Sequence, residues 1–252
     1  MEPMTGRKVA VVTGAGSGIG RAVAGAFSAR GYAVVLIGRT TKTLAETASI
    51  IGAKDILIAP CDVRDQTEVN ASFELARQTC GRIDVLFNSA GLFGDSAAFD
   101  AVAADDWRQV IDVNLTGSFL SAQAAFRQMK RQSPPGGRII NCGSISAYSP
   151  RPMAAAYTAS KHAVTGLTRQ IALEGRPWRI ACGQLDIGNA ATTMTERFSS
   201  GTLQADMSMR NEPLFDVSHV AAAALFMADL PLDANVLTMT VMATAMPFVG
   251  RG

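Results

Sequence analysis

Short apolar, largely β-branched runs alternate along this chain with stretches of helical period. That alternation constrains the fold more than any other feature. The first run is KVAVVTG (8–14), which ends in glycine. GIGRAVAGAFSARG (18–31) follows with Ile19, Val23, Ala26 and Phe27 on one helical face and Gly31 as the stop. AVVLIG (33–38) is a second strand, KTLAETASIIG (42–52) a helix and DILIAPCDV (55–63) a third strand with its loop. Residues 66–80 form another helix and IDVLFNSAG (83–91) a fourth strand. A long helix from about 105 to 131 precedes a fifth strand, RIINCGS (138–144), and a further helix. WRIACGQLD (178–186) and NVLTMTVMA (235–243) complete the set. Apolar strands that alternate with helices predict an α/β architecture: a doubly wound, seven-stranded parallel sheet with helices on both faces. Glycines and small polar residues cluster just after the strands, where such sheets bind ligands.

The length of 252 residues suits one such unit with its site built in. Residues 189–213, rich in Thr, Ser and Met, interrupt the rhythm and read as a mobile substrate lid. The charges nearly balance, 23 basic against 21 acidic residues, so no field for nucleic acid or a membrane surface is implied. Cys61, Cys80, Cys142 and Cys182 have neither CxxC nor zinc spacing and read as buried or half-buried thiols of a reducing compartment. Two histidines argue against a His-based metal site. The first strand begins near Lys8, which leaves little room for a signal peptide, and a cytoplasmic location is expected. The charge-free tract 234–250 is too short and too rich in Thr for a membrane span and reads as a buried strand with a packed tail. Its end, MATAMPFVGRG (242–252), is an awkward monomer surface, so a homotetramer or homodimer is expected.

TGAGSGIG (13–20) joins the first strand to the first helix. Gly14, Gly18 and Gly20 permit a tight turn, close approach of backbone to a ligand and close packing of helix on strand. The helix N-terminus offers free N–H groups to a pyrophosphate. Gly14, Ser17, Gly18, Ile19 and Gly20 are therefore expected to contact a dinucleotide.

The motifs continue in order: NSAG (88–91), Asn114 in DVNLTG, Ser144 in NCGSIS, and Tyr157 with Lys161 in YTASK. Together with TGAGSGIG this series resembles the short-chain dehydrogenase/reductase family over essentially the whole chain. The resemblance implies a Rossmann-type sheet and an oxidoreductase using a nicotinamide cofactor. It places Asp62 and Val63 beside the adenine. Asn88, Ala90 and Gly91 would border the ribose and brace the central sheet. An acidic residue at the end of the second strand would bind a free ribose 2′-hydroxyl. Here Gly38 leaves room, and Arg39 and Thr40 follow. Arg39 can bond a 2′-phosphate and stack on adenine, so NADP(H) is favoured over NAD(H). The alternative is an Arg39 that merely borders a solvated loop.

Reducing a carbonyl needs a hydride on carbon and a proton on oxygen, and the nicotinamide supplies the hydride. A phenol with an ordinary pKa near ~10 is a poor proton donor at neutral pH unless a cation stands close. Lys161 lies one helical turn from Tyr157 on the same face, in a bed of small residues that lets a cofactor approach. By family analogy Lys161 also reaches the nicotinamide ribose. Ser144 would donate to the substrate oxygen, and Asn114 would kink its helix and relay protons outward. Taken singly, a serine at a strand end and an asparagine in a helix are ordinary. The set of four is not.

The chain departs from the family at QLDIGNAATTM (184–194), where Ile187-Gly188 replaces Pro-Gly. Ile187, Gly188 and Thr192 are still expected beside the carboxamide and pyrophosphate. Asp186 either biases the nicotinamide or turns away and is paired. Candidate substrate walls are Gly94, Asp95, Ser146, Tyr148 and Arg151. Met194, Phe198, Leu203, Met207 and Met209 either make the lid apolar or fill ordinary core. Arg151 and Arg197 raise the possibility of an acidic substrate. The leading expectation is an enzyme that interconverts a small-molecule carbonyl and an alcohol. An imine reductase on the same scaffold is an alternative, as is a nucleotide-binding regulator without catalysis. Retention of Tyr157 and Lys161 disfavours the regulator.

Overall fold

The computed structural model describes residues 6–195 and 201–249. Seven strands form one parallel sheet: β1 (Val9–Thr13), β2 (Ala33–Gly38), β3 (Ile56–Pro60), β4 (Val85–Asn88), β5 (Gly137–Cys142), β6 (Ile180–Ile187) and β9 (Thr238–Val241). Their spatial order is β3-β2-β1-β4-β5-β6-β9. The chain winds outward from β1 to β3, then returns to pair β4 with β1, Thr13 opposite Asn88. That reversal opens a crevice at the carboxyl ends of β1 and β4, where open α/β sheets take ligands. A two-stranded antiparallel ribbon, β7 (Thr202–Leu203) with β8 (Met209–Arg210), stands apart.

Helices α1 (Gly18–Ala29), α2 (Thr41–Ile51), α3 (Gln66–Cys80), α4 (Ala104–Ile111), α5 (Gly117–Arg131), α6 (Ala155–Gly175) and α7 (Val217–Asp229) supply the crossovers. Each strand lends alternate residues to the two faces. Val9, Val11, Val35, Leu86 and Ile139 pack with Phe73 and Met129 on one side. Ala10, Val12, Leu36, Phe87 and Ile140 pack with Phe27 and Met227 on the other. β1 and β6 are buried throughout, which explains the apolar sequence of β1 and means that Gln184 and Asp186 in β6 must find partners inside the fold.

Four features differ from the sequence expectation. The long helix is split by a π-helical turn, Asp112–Thr116, with Asn114 inside it. Such turns bend a helix and re-aim its side chains. α7 has no counterpart in the sequence reading, because VSHVAAAALFMAD is apolar nearly all round and lacks the contrast of an amphipathic helix. Parallel pairing of β6 with β9 nevertheless requires such a crossover. β9 is not a buried strand but the sheet edge, with Thr238 and Thr240 exposed. The tail behind it packs as expected, with Ala243 and Met246 buried against Ile145. In the lid segment Met207 and Met209 are 63% exposed and form neither core nor pocket wall.

Buried Arg138 in β5 explains how the charge-free tract is fixed. Its guanidinium donates to the carbonyls of Leu230, Pro231 and Ala234 and to Asn235 Oδ1. Asn235 in turn donates to the Cys182 carbonyl. All four cysteines are free; Cys142 is half-buried and the others buried.

Candidate active site

The crevice holds a cavity that brings together Gly14, Ser17, Gly18, Ile19 and Gly20 with Ser144, Tyr157 and Lys161. Gly91, Ile187, Gly188 and Thr192 also line it. The glycine turn has no space for side chains. A Cβ at Gly20 would overlap the Gly14 carbonyl, and one at Gly14 would lie 2.9 Å from the Ala90 backbone. Gly14 and Gly18 also take φ of +66° and +49°, the left-handed region that glycine tolerates. The first turn of α1 carries no acidic side chain, and Ser17 makes no side-chain cap bond. Its N–H groups thus remain available at the cavity edge for an anion, and a dinucleotide pyrophosphate fits there. Thr13 Oγ1 accepts from the N–H groups of Ser89 and Ala90, tying NSAG to the glycine turn. Across the cavity, Thr192 Cγ2 would stand 3.4 Å from a Cβ at Gly18.

The other expected cofactor residues, Arg39, Thr40, Asp62, Val63, Asn88 and Ala90, do not line the cavity. Arg39 and Thr40 are exposed beyond β2. Asp62 is held below the usual carboxylate range, chiefly by hydrogen bonds from Arg64, with Arg39 adding a favourable charge. Val63 is buried, and a Cβ at Gly117 would strike its Cγ2 at 2.6 Å. Asn88 braces the sheet: its Nδ2 donates to Asn141 Oδ1 and the Ser118 carbonyl.

At the chemical end, Lys161 Nζ donates to the Cys142 carbonyl at 2.8 Å and lies 5.5 Å from the Tyr157 ring centroid. Ser144 Oγ accepts from the Ser146 N–H at 3.1 Å. That bond uses a lone pair and leaves the hydroxyl proton for an acceptor in the cavity. Asn114 is buried and touches no cavity surface. Its side chain bonds the Leu92 N–H and carbonyl and Ser160 Oγ, locking the loop after β4 to α6.

Asp186 lies behind the wall, fully buried, and is paired. It accepts from the Ser144 N–H, Gln184 Nε2 and the Tyr148 hydroxyl. Burial pushes its carboxyl up from the ordinary value against those bonds and the Lys161 charge. Tyr148, whose hydroxyl is committed to Asp186, is pushed up to about 12 by burial and by that bond. Of the expected substrate walls, Ser146, Arg151 and Met194 line the cavity; Gly94, Asp95, Tyr148 and Leu203 do not. Phe198 and Arg197 fall outside the described residues. Arg151 is already neutralised: it donates to Glu212 Oε2 at 2.6 Å and to Asn189 Oδ1. Sequence reasoning missed Phe93, which stacks on Tyr157 in the cavity. No motif marks it; its position two residues past NSAG, at the mouth of β4, was the available signal.

Among the described residues, no His, Cys, Asp or Glu cluster could hold a metal ion, and no helix is long and apolar enough to cross a membrane.

Comparison with known proteins agrees with this geometry. The family model for short chain dehydrogenases matches residues 8–202. A 3beta-hydroxysteroid dehydrogenase of Mediterraneibacter gnavus is 38% identical over 196 residues, 77% of this chain and 70% of that one. The 3-ketoacyl-(acyl-carrier-protein) reductase from Brucella melitensis, solved with NADH, superposes with a TM-score of 0.82 at 26% identity, covering 93% of this chain and 96% of its own. An actinorhodin polyketide ketoreductase variant, solved with NADPH, gives 0.83 at 27% identity, covering 94% of this chain and 96% of its own. A glycine-turned dinucleotide crevice and a family model matched over most of the chain lead to one conclusion: the protein belongs to the short-chain dehydrogenase family and is an NAD(P)-dependent oxidoreductase.

Proposed function

We propose that the protein interconverts a carbonyl and an alcohol with NADP(H), with Tyr157 as the general acid and base. The observation that carries this reading is convergence: Tyr157, Ser144 and Lys161 line the same cavity as the Gly14–Gly20 turn. The bound nicotinamide would give or take the hydride. Tyr157 passes a proton to the substrate oxygen in reduction and takes it back in oxidation. Ser144 donates its hydroxyl proton in a hydrogen bond to that oxygen, where charge develops. Lys161, fixed by the Cys142 carbonyl, keeps a positive charge one turn from the phenol. Asn114, in its π turn, joins the loop after β4 to α6, the helix that carries Tyr157 and Lys161.

Gly38 and the exposed Arg39 favour the 2′-phosphate. Phe93, Ile145, Ile187 and Met194 give the cavity an apolar wall. That wall, and the hydroxysteroid dehydrogenase relative, favour a neutral ketone on a hydrophobic body. Pairing of copies is expected through α5 and α6, where Phe119 and Leu173 are 43% and 53% exposed. A sedimentation mass of one 26.4 kDa chain at micromolar concentration would remove that expectation.

The test is Tyr157→Phe with a panel of neutral ketones and aldehydes. Turnover should vanish while NADPH, titrated by fluorescence, binds almost as it does to the wild type. Retained turnover overturns the mechanism. Tighter NADH than NADPH binding overturns the cofactor choice and leaves the chemistry standing.

A further inference from the structure

Asp186 is a fully buried carboxylate two strand positions from Gln184, on the strand beside the one that delivers Ser144. The proposed chemistry gives it no task. Its neighbours give it a consistent one. Oδ1 accepts from the Ser144 N–H at 3.0 Å and from Gln184 Nε2 at 2.7 Å; Oδ2 accepts from the Tyr148 hydroxyl at 2.7 Å. Three donors and no acceptor face it, the arrangement that suits an ionised carboxylate. Burial works against that charge and pushes the carboxyl up; the three hydrogen bonds and the Lys161 ammonium oppose it.

Gly143 shows how close the carboxylate must come. A Cβ there would sit 2.0 Å from Asp186 Oδ1, its tightest neighbour, and 2.8 and 2.9 Å from Gln184 Cγ and Nε2, the end of a side chain that can shift. Gly143 is flanked by both working groups. The Cys142 carbonyl receives Lys161 Nζ, and Ser144 presents its hydroxyl to the cavity. The segment is held from behind by one side chain and read from the front by the reaction.

We propose that Asp186 is a positioning residue: seated against Gly143, it sets the Cys142–Ser144 segment and through it the Ser144 hydroxyl and the carbonyl that fixes Lys161. This rests on the Tyr157 reading above. It also gives Gly143 a reason: a carboxylate at 186 can sit where it does only because residue 143 has no side chain.

The test uses Asp186→Ala, Asp186→Asn, Gly143→Ala and the double variant Gly143→Ala/Asp186→Ala, in the full chain, with NADPH and the same ketone panel. Asp186→Ala should lower kcat at least about tenfold while KM for the ketone and the NADPH Kd stay within about threefold. Asp186→Asn should recover most of kcat, because an amide still accepts from Ser144 and Gln184 and can donate to the Tyr148 oxygen. Gly143→Ala should lower Tm by about 8 °C alone and by less than half of that beside Asp186→Ala. Additive Tm changes would overturn the seating. An unchanged kcat in Asp186→Ala, or no recovery in Asp186→Asn, would overturn the positioning role. Tyr157→Phe separates the two readings: if it stays active, the chemistry fails whatever Asp186 does.

Discussion

Phe93 lies stacked on Tyr157, with ring centroids 4.8 Å apart and planes inclined by 27°. The phenol is thereby covered on one face by a side chain from the loop after β4. Phe93 thus limits what can stand beside the Tyr157 ring. Phe93→Ala should raise the ratio of kcat/KM for a bulky aryl ketone over a small aliphatic one by about tenfold. Steady-state kinetics on the two ketones measures it; an unchanged ratio would place Phe93 outside the substrate's path.

Arg151, in the pocket wall, forms a buried ion pair with Glu212, with side chains 8% and 1% exposed. Asn189 and Gln204 bond the same carboxylate. Breaking a buried ion pair by truncating one partner is strongly destabilising, so Glu212→Ala should cost about 3–5 kcal/mol in urea unfolding. Arg151→Met with Glu212→Leu should restore most of it. A loss below about 1 kcal/mol in the single variant would mean that water enters the pair freely.

Gly38 ends β2, and a Cβ there would meet only the flexible end of Leu44 at 3.2 Å. Gly38→Asp should therefore fold and set a carboxylate near the ribose. The NADPH-to-NADH affinity ratio should fall at least about tenfold, read by fluorescence titration. Arg39→Ala should lower it in the same direction.

Asp229 joins the end of α7 to Arg30 and to the Tyr32 hydroxyl, at 2.8 and 3.0 Å. Burial pushes its carboxyl up, but the bonds from Arg30 and Tyr32 outweigh burial and hold it below the ordinary value. A depressed folded value means the contribution is present above the unfolded pKa of ~3.9 and is lost as pH falls through the folded one. Asp229→Asn should melt on the order of 2 °C below wild type at pH 7, and the gap should close as pH falls below the ordinary carboxylate range. A gap independent of pH would assign the loss to packing.

Much of the fold was legible because strand burial leaves a mark in sequence. VAVVT and AVVLIG have to be largely apolar, since parallel strands are covered on both faces. The cavity glycines were equally legible: a turn that meets Ala90 and its own carbonyl cannot carry a Cβ. α7 was not, because its alanines are apolar on every side and periodicity has nothing to show. The exposure of β9 was not, because edge and centre differ by neighbours rather than by composition.

By itself the sequence determined the alternation of elements, the glycine turn, and the placing of Tyr157 and Lys161 on one helical face, because each depends on residues close together along the chain. Only the tertiary structure decided that Glu212 reaches Arg151, that Phe93 covers Tyr157 and that Asp186 sits against Gly143. Those partners lie on separate elements, and their contacts are set by how the elements pack on the sheet, which no local pattern records.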